Sequence, residues 1–524
     1  MKHLFLQFAF ALTIFLAQAQ INDPYFEQVD YIGAFGTTDW TSDWVNWTPQ
    51  SSSYAAHTDI VEGEITTNTT WVKSKVYLLK GFVYVTDGAT LTIEAGTVIR
   101  GDKDSKGTLI IEKGGKIHAA GTANEPIIFT SNQDAGNRSY GDWGGLVICG
   151  KARINVTGGS ATVEGGPRST YGGNDDTDSS GMLKYVRIEF AGIPLLPDKE
   201  INGLTLGGVG NKTMIEYIQV SFSGDDAYEW FGGTVNAKHL VSFRNWDDDF
   251  DTDFGFTGKI QFAVALRDPN IADVSGSNGF ESDNDGTGST NEPITSPTFS
   301  NVSYFGPKIT SSTSVNSNYK RAMHLRRNSR IDIYNSFFAG HPTGLFIDGT
   351  ATQNNASSQE LNVKYVILSG MTTFFASSFE RTYFTVSSMH NDTFRFNTQL
   401  MITDPFNLDN PNFLPLSGSP VLDRSIWYTS EVKDDHRFSK STDIHCYPNP
   451  SEGEVILSFK VSNPQMVHIN LFDLSGKLIL PLVNEFKNDG HYTMSLQGED
   501  LPTGIYLLKG DINNTTIFTK VLIK

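Results

Sequence analysis

What most constrains this chain is a repeating texture. From Trp71 onward, short β-branched runs alternate with Gly, Asn and Asp, and almost no stretch carries the 3.6-residue period of an amphipathic helix. Leu91–Ile99 (LTIEAGTVI) is echoed eighteen residues later by Leu109–Ile117 (LIIEKGGKI). Further strand candidates follow at Ile127–Thr130, Gly145–Cys149, Tyr185–Phe190, Gly203–Leu206, Ile215–Phe222, His239–Phe243, Ile260–Leu266, Arg330–Phe338 and Leu361–Leu368. Many of the spacings lie near twenty residues, which suits one coil of a stacked parallel β-structure whose inward side chains form a continuous core. The 49 glycines show no collagen-like period and read as turn residues.

Three segments carry a family resemblance: Gly96-Thr97-Val98-Ile99, Asn124-Glu125-Pro126-Ile127-Ile128-Phe129-Thr130-Ser131 and Gly141-Asp142-Trp143-Gly144-Gly145-Leu146. Through them the chain resembles the right-handed parallel β-helix proteins exported by Gram-negative bacteria. The implied fold class is all-β, a right-handed parallel β-helix followed by a small immunoglobulin-like β-sandwich. Polysaccharide-active and adhesive proteins share that architecture, so the fold alone does not choose a function.

The flanks organise the rest. Lys2, an apolar run from Leu4 to Leu16 and Ala17-Gln18-Ala19 read as a cleaved signal peptide over residues 1–19. No later stretch is long and apolar enough for a transmembrane helix. Residues 20–70 carry Trp40, Trp44 and Trp47 and are expected to cap an open end of the β-helix, which spans 71–428. A polar linker, 429–443, leads to residues 444–524, where short strands recur at roughly ten-residue spacing. This last segment resembles the C-terminal sorting domain read by the type IX secretion system. The resemblance rests on Tyr447-Pro448-Asn449-Pro450, Asp473-Leu474-Ser475-Gly476-Lys477, Leu501-Pro502-Thr503-Gly504-Ile505-Tyr506 and the ending Lys520-Val521-Leu522-Ile523-Lys524. It implies the type IX machinery as partner, and a destination at the cell surface or outside the cell.

Charge points to a site. The formal net charge of −18 excludes nucleic acid and anionic membrane as main partners. Half of that excess lies between Asp225 and Asp285, where thirteen acids face four basic residues. Here Asp225–Gly232 (DDAYEWFG) aligns at plus 23 with Asp248–Gly255 (DDFDTDFG), and Gly279–Asp285 supplies a third row at plus 32. In that register Phe250 and Phe254 point inward, while Asp249, Asp251 and Asp253 point outward beside Asp226, Tyr228 and Trp230. It also turns Glu229 inward, where an unpaired carboxylate is costly. The expected site is an acidic face with Asp249, Asp251, Asp253, Glu281 and Asp283 as calcium ligands. Asp226, Tyr228 and Trp230 are the glycan contacts, the rings offering faces on which a sugar stacks.

The expected function is a secreted or surface module binding glycan or matrix. The alternatives are a polysaccharide lyase or glycoside hydrolase using the same acids, and a structural surface protein without a discrete ligand. For a lyase, the candidate bases and electrostatic partners are His324, Arg326 and Arg327. Convergence of polar groups in a groove favours an enzyme; a flat aromatic and acidic strip favours a binding module. His-Glu-x-x-His, Cys-x-x-Cys and Gly-x-Ser-x-Gly motifs are absent. Two cysteines make no disulfide framework.

Overall fold

Short β-branched strands bury both faces only against neighbours, and here the neighbours are successive coils of the same chain. The computed structural model describes residues 23–427 except 165, 166, 193, 197 and 198, together with 444–447, 451, 454–473, 477–497, 501–512 and 515–523. The signal segment, the linker and Pro448, Asn449, Pro450, Gly476 and Lys524 lie outside the described residues. The chain forms two compact units, one up to Tyr428 and one from Thr429.

The first unit is a parallel β-helix whose strands begin at Asp59–Ile65 and Thr69–Trp71. One stack runs through Gly181–Glu189, Met214–Ser221, Asn236–Phe243, Lys259–Leu266, Thr298–Phe305, Asp332–Ala339 and Asn362–Ser369, each parallel to the next. A second runs through Gly145–Cys149, Leu204–Val209, Tyr228–Gly233, Phe250–Asp253, Phe280–Ser282, Arg321–Leu325, Thr343–Ile347 and Thr373–Phe375. Every long strand of the first stack is broken midway by a left-handed residue: Tyr185, Tyr217, His239, Phe262, Asn301, Asn335 and Tyr365 all have φ between 47° and 60°. None of these is glycine, so the repeated bend is held by its stacked neighbours against the usual cost of that conformation.

Those bends place Tyr185, Tyr217, His239 and Phe262 in an aromatic ladder, with ring centroids 4.3, 4.2 and 5.2 Å apart. Of the tryptophans expected to plug an end, Trp40 and Trp44 lie along this ladder instead and Trp47 packs beside it. Trp40 meets His239 at 5.0 Å, Trp44 meets Tyr185 and Tyr217, and Trp47 meets Phe243 and Phe413. The segment from Asp23 to Tyr54 is therefore a lateral strap. It covers aromatic surface that the bends turn outward, and it bonds to the coils through Ala34 N to Ser303 Oγ, the Asn46–Gln219 pair and Tyr54 OH to Glu189. The strap also reaches the unit's far end, where Ile32 N donates to Val421 O and Arg424 N to Asp30 O.

The second unit has two antiparallel sheets. One joins Ile444–Tyr447, Glu454–Val461 and Gly490–Gln497; the other joins Leu478–Lys487, Gln465–Asp473, Gly504–Ile512 and Thr515–Ile523. Their shared core includes Leu457, Phe459, Ile469, Leu471, Tyr506 and Val521. Gly504 pairs with Ile523, Lys520 pairs with Leu507, and the Tyr506 hydroxyl donates to Pro502 O at 2.7 Å. Cys149 and Cys446 are both free thiols. Among the described residues no helix is long and apolar enough to cross a membrane.

Candidate functional site

The acidic region occupies consecutive coils, but one residue out of the expected register. Tyr228 pairs with Phe250 and Glu229 with Asp251, a step of 22 residues. Phe250 then pairs with Phe280 and Asp251 with Glu281, a step of 30. Because strand side chains alternate, a slip of one residue exchanges inside for outside. Tyr228 and Trp230 are accordingly in the core at 0% exposure, with the Tyr228 hydroxyl bonded to Ile218 O and Val241 O. They offer no face to a sugar, which corrects their expected role as glycan contacts. Glu229 turns outward, and the conflict over its burial in the core disappears. Phe250 is inward as expected, while Phe254 packs outside the coil against Phe231.

The expected calcium set is split differently: Asp251 and Asp253 keep the expected outward facing, the third row pairs at a step of 30 and not 32, and Asp249, in the turn before the strand, is turned inward. Asp249 is a core residue at 0% exposure, bonded to Ser242 Oγ and paired with Arg267 Nη1 at 3.1 Å. Asp253 accepts the Phe254 amide, and burial, with Asp283 nearby, pushes its pKa well up. Asp283 is held by Arg326 Nε at 2.8 Å and Arg327 Nη1 at 2.7 Å. Glu281 accepts hydrogen bonds from Arg326 Nη2 and Asn278 Nδ2, and His324 Nδ1 lies 3.4 Å from it. Burial opposes its charge, yet His324 and Arg326 outweigh that and lower its pKa. Only Asp251 of the expected ligands joins the cavity without a basic partner.

That cavity, of about 270 Å³, is lined by Glu164, Asn202, Asp225, Asp226, Glu229, Asp247, Asp248, Asp251, Glu281 and Arg326, among others. The turns before the strands form its floor by a ladder in which each carboxylate accepts the next coil's amide: Asp226 Oδ1 from Asp248 N at 2.8 Å, then Asp248 Oδ1 from Asn278 N. The outward strand row, Glu229, Asp251 and Glu281, forms its wall, and His324 continues that row on the next coil. Asn202 Nδ2 donates to Glu229 Oε2. Carboxylate oxygens of Asp226, Glu229 and Asp251 all lie within 4.8 Å of one another, as do those of Asp225, Asp226 and Asp247. At an effective dielectric near 20, two charges at that separation repel by about 3 kcal/mol.

The electrostatics follow from burial and crowding. Burial, reinforced by Asp225 and Asp248, pushes Asp226 well above the usual carboxylate range. The same cause raises Glu229, with Asp225 and Glu164 adding to it, and Asp251, with Glu229 and Glu281 adding to it. Asp248 is raised by burial and by Asp247, and Asp247 itself is pushed up to about 6. Among the described residues Arg326 is the one cation on the lining, and Glu281 and Asp283 hold it firmly charged. Hard oxygen donors at these separations suit calcium, which takes six to eight such ligands.

Arg326 and His324 converge with the acids, a juxtaposition that their distance from Glu281 along the sequence concealed. Arg327 reaches only Asp283 among the candidate ligands. Asp225 and Asp247 were hidden because the doublet Asp225-Asp226 matches Asp248-Asp249 as well as Asp247-Asp248. The signal that decides the register is the aromatic column Tyr228, Phe250 and Phe280. Glu164 and Asn202 enter from a loop and a coil that carry no acidic repeat.

The comparisons with known proteins agree with this architecture. Residues 63–400 match the family model of a pectate-lyase like beta helix domain, and residues 445–524 match that of a secretion system C-terminal sorting domain. The latter assigns export by the type IX system, to the cell surface or beyond it. Among curated proteins, an endo-acting ulvan lyase of Formosa agariphila is 27% identical over 139 residues, 26% of this chain and 26% of that protein. The chain thus matches about a quarter of that relative's length. With stacked parallel coils, an outward acidic cavity and a family match over well over half its length, the chain belongs to the pectate-lyase-like β-helix family.

Proposed function

We propose that the β-helix is a cation-dependent lyase of a carboxylate-bearing polysaccharide outside the cell. The observation that carries this reading is the convergence of Asp226, Glu229, Asp251 and Arg326 on one cavity, where aromatic residues expected as a flat sugar platform are in the core instead. Cations held by the acids would draw in a uronate carboxylate that the cavity alone repels, and Arg326 adds positive charge at its edge. Neutralising that carboxylate acidifies the adjacent C5 proton. In β-elimination the proton passes to a base, the C4–O bond breaks, a C4–C5 double bond forms, and the departing oxygen is protonated. The similarity to a lyase acting on ulvan supports the same class.

A second reading, cation-mediated glycan binding without cleavage, draws on one observation. Arg326 is clamped by Glu281 and Asp283, which hold it charged, so as placed it is no base. The test is incubation of the purified chain with acidic and neutral polysaccharides, with calcium or with chelator. Calcium-dependent absorbance from unsaturated products supports the lyase. Chelator-sensitive retention on the polymer without products selects the binding module, and neither result on any acidic polymer sinks both.

A further inference from the structure

We infer that the acidic cavity holds two divalent cations, one on each side of Asp226, which serves both as a bridging carboxylate. The inference rests on the reading of this cavity as cation-loaded and extends it to number and arrangement. One coil step of 22 residues brings two pairs of acids together: Asp225 with Asp247 in the turns, and Glu229 with Asp251 in the strands. Asp226 lies between the two pairs in the chain and completes a triad with each.

Calcium binds oxygen at about 2.3–2.6 Å, so oxygens sharing one ion are at most about 5 Å apart. Both triads meet that condition within 4.8 Å. An independent observation separates them: each triad contains one buried carboxylate oxygen that no hydrogen-bond donor reaches, Asp247 Oδ1 in the first and Asp251 Oδ1 in the second. The other oxygen of Asp247 is satisfied by Ser275 Oγ at 2.7 Å, and Asp226 Oδ1 by the Asp248 amide. A buried acceptor without a donor is costly in any folded protein. One in each triad is what two ions would resolve and a single ion would not.

Charge gives the same count. The five carboxylates of the two triads carry −5 when ionised. One divalent ion leaves −3 on these five and two leave −1, while Glu164, Asp248 and Glu281 add further acids to the lining and its one cation among the described residues, Arg326, is already engaged by Glu281 and Asp283. Three protein oxygens per ion also leave open coordination positions, since calcium takes six to eight ligands. Two adjacent ions with open positions would grip a polymer bearing carboxylates on successive residues better than an isolated acidic sugar.

The measurement is calcium titration of the chelator-treated full chain by calorimetry, with equilibrium dialysis to count bound ions. Wild type is expected to bind two equivalents in this cavity; Asp225→Asn and Asp251→Asn each lose one, and Asp226→Asn loses both. Circular dichroism establishes that each near-isosteric variant is folded, and the wild-type count needs no variant at all. A wild-type stoichiometry of one or none overturns the proposal, as does an Asp226→Asn chain that still binds both ions. Two equivalents with no cleavage of any polymer would sink the lyase reading and leave the two-ion site standing. Cleavage with a single equivalent would do the reverse.

Discussion

Asp248 and Asp249 are neighbours in the chain and opposites in surroundings. Asp249 faces into the coil and is answered there by Arg267, Ser242 and a core that excludes water. Asp248 faces the cavity among Asp226, Asp247 and Asp251, where among the described residues no basic side chain is free to answer it. The interior acid has its counter-charge encoded in the same chain; the exterior acids have no free basic partner among the described residues, the feature from which the cation proposal starts. A charge paired internally is a structural commitment, and a cluster left unpaired in a concave surface points to a ligand.

The sharpest way to break this contrast is to make the inside resemble the outside. Arg267→Met strands Asp249 in the core and is expected to cost about 3–5 kcal/mol, read as a large fall in melting temperature that calcium does not restore. The complementary experiment makes the outside resemble the inside: calcium at about a hundred times its Kd should stabilise the chain by about 2.7 kcal/mol for each site filled, and chelator should abolish the shift. A buried acid away from both regions calibrates the pH response. Asp332, raised to about 6 by burial despite the Asn362 amide at 2.8 Å, binds more protons folded than unfolded between pH 3.8 and 6. Its contribution therefore turns unfavourable as pH rises through that window. Asp332→Asn should match wild type at pH 4 and exceed it at pH 7.5 by on the order of 2 kcal/mol, read by thermal melts at both values. The smallest effect is expected from Asp251→Asn. In chelator it should melt slightly above wild type, by about 1 kcal/mol of relieved repulsion, and in excess calcium below it. Failure of the two melting curves to cross would mean that Asp251 is not a ligand.

The repeating strands were legible because a core built from β-branched runs leaves its period in the sequence. Register was not, because aspartates outside a coil are interchangeable to the eye whereas aromatics inside it are not. Aligning Asp225-Asp226 on Asp248-Asp249 satisfied identity and failed physics, and the misplaced Glu229 was the visible symptom. The strap was misread for a related reason. Three tryptophans declare that they cover something apolar, but only the left-handed bends at Tyr185, Tyr217 and His239 reveal that the surface lies on the flank. His324 and Arg326 could be named as chemistry-bearing residues from sequence, yet their place beside Glu281 depends on coil stacking that local pattern does not encode.

The strap also governs the order in which the molecule can be completed. Its partners lie far down the chain: Gly33 N donates to Asn335 O, and Ile32 N to Val421 O. Nearest-neighbour solenoids ordinarily fray from their ends and can assemble coil by coil. Here the strap can begin docking on middle coils, through Asp23 to Lys259 and Glu27 to Gln261. Its contacts at Asp30, Ile32 and Gly33 must wait until nearly the last coil exists, so the final step is a long-range closure of high contact order. That latch ties the unit's beginning to its end, and melting should proceed as one cooperative event rather than as an unzipping from either terminus.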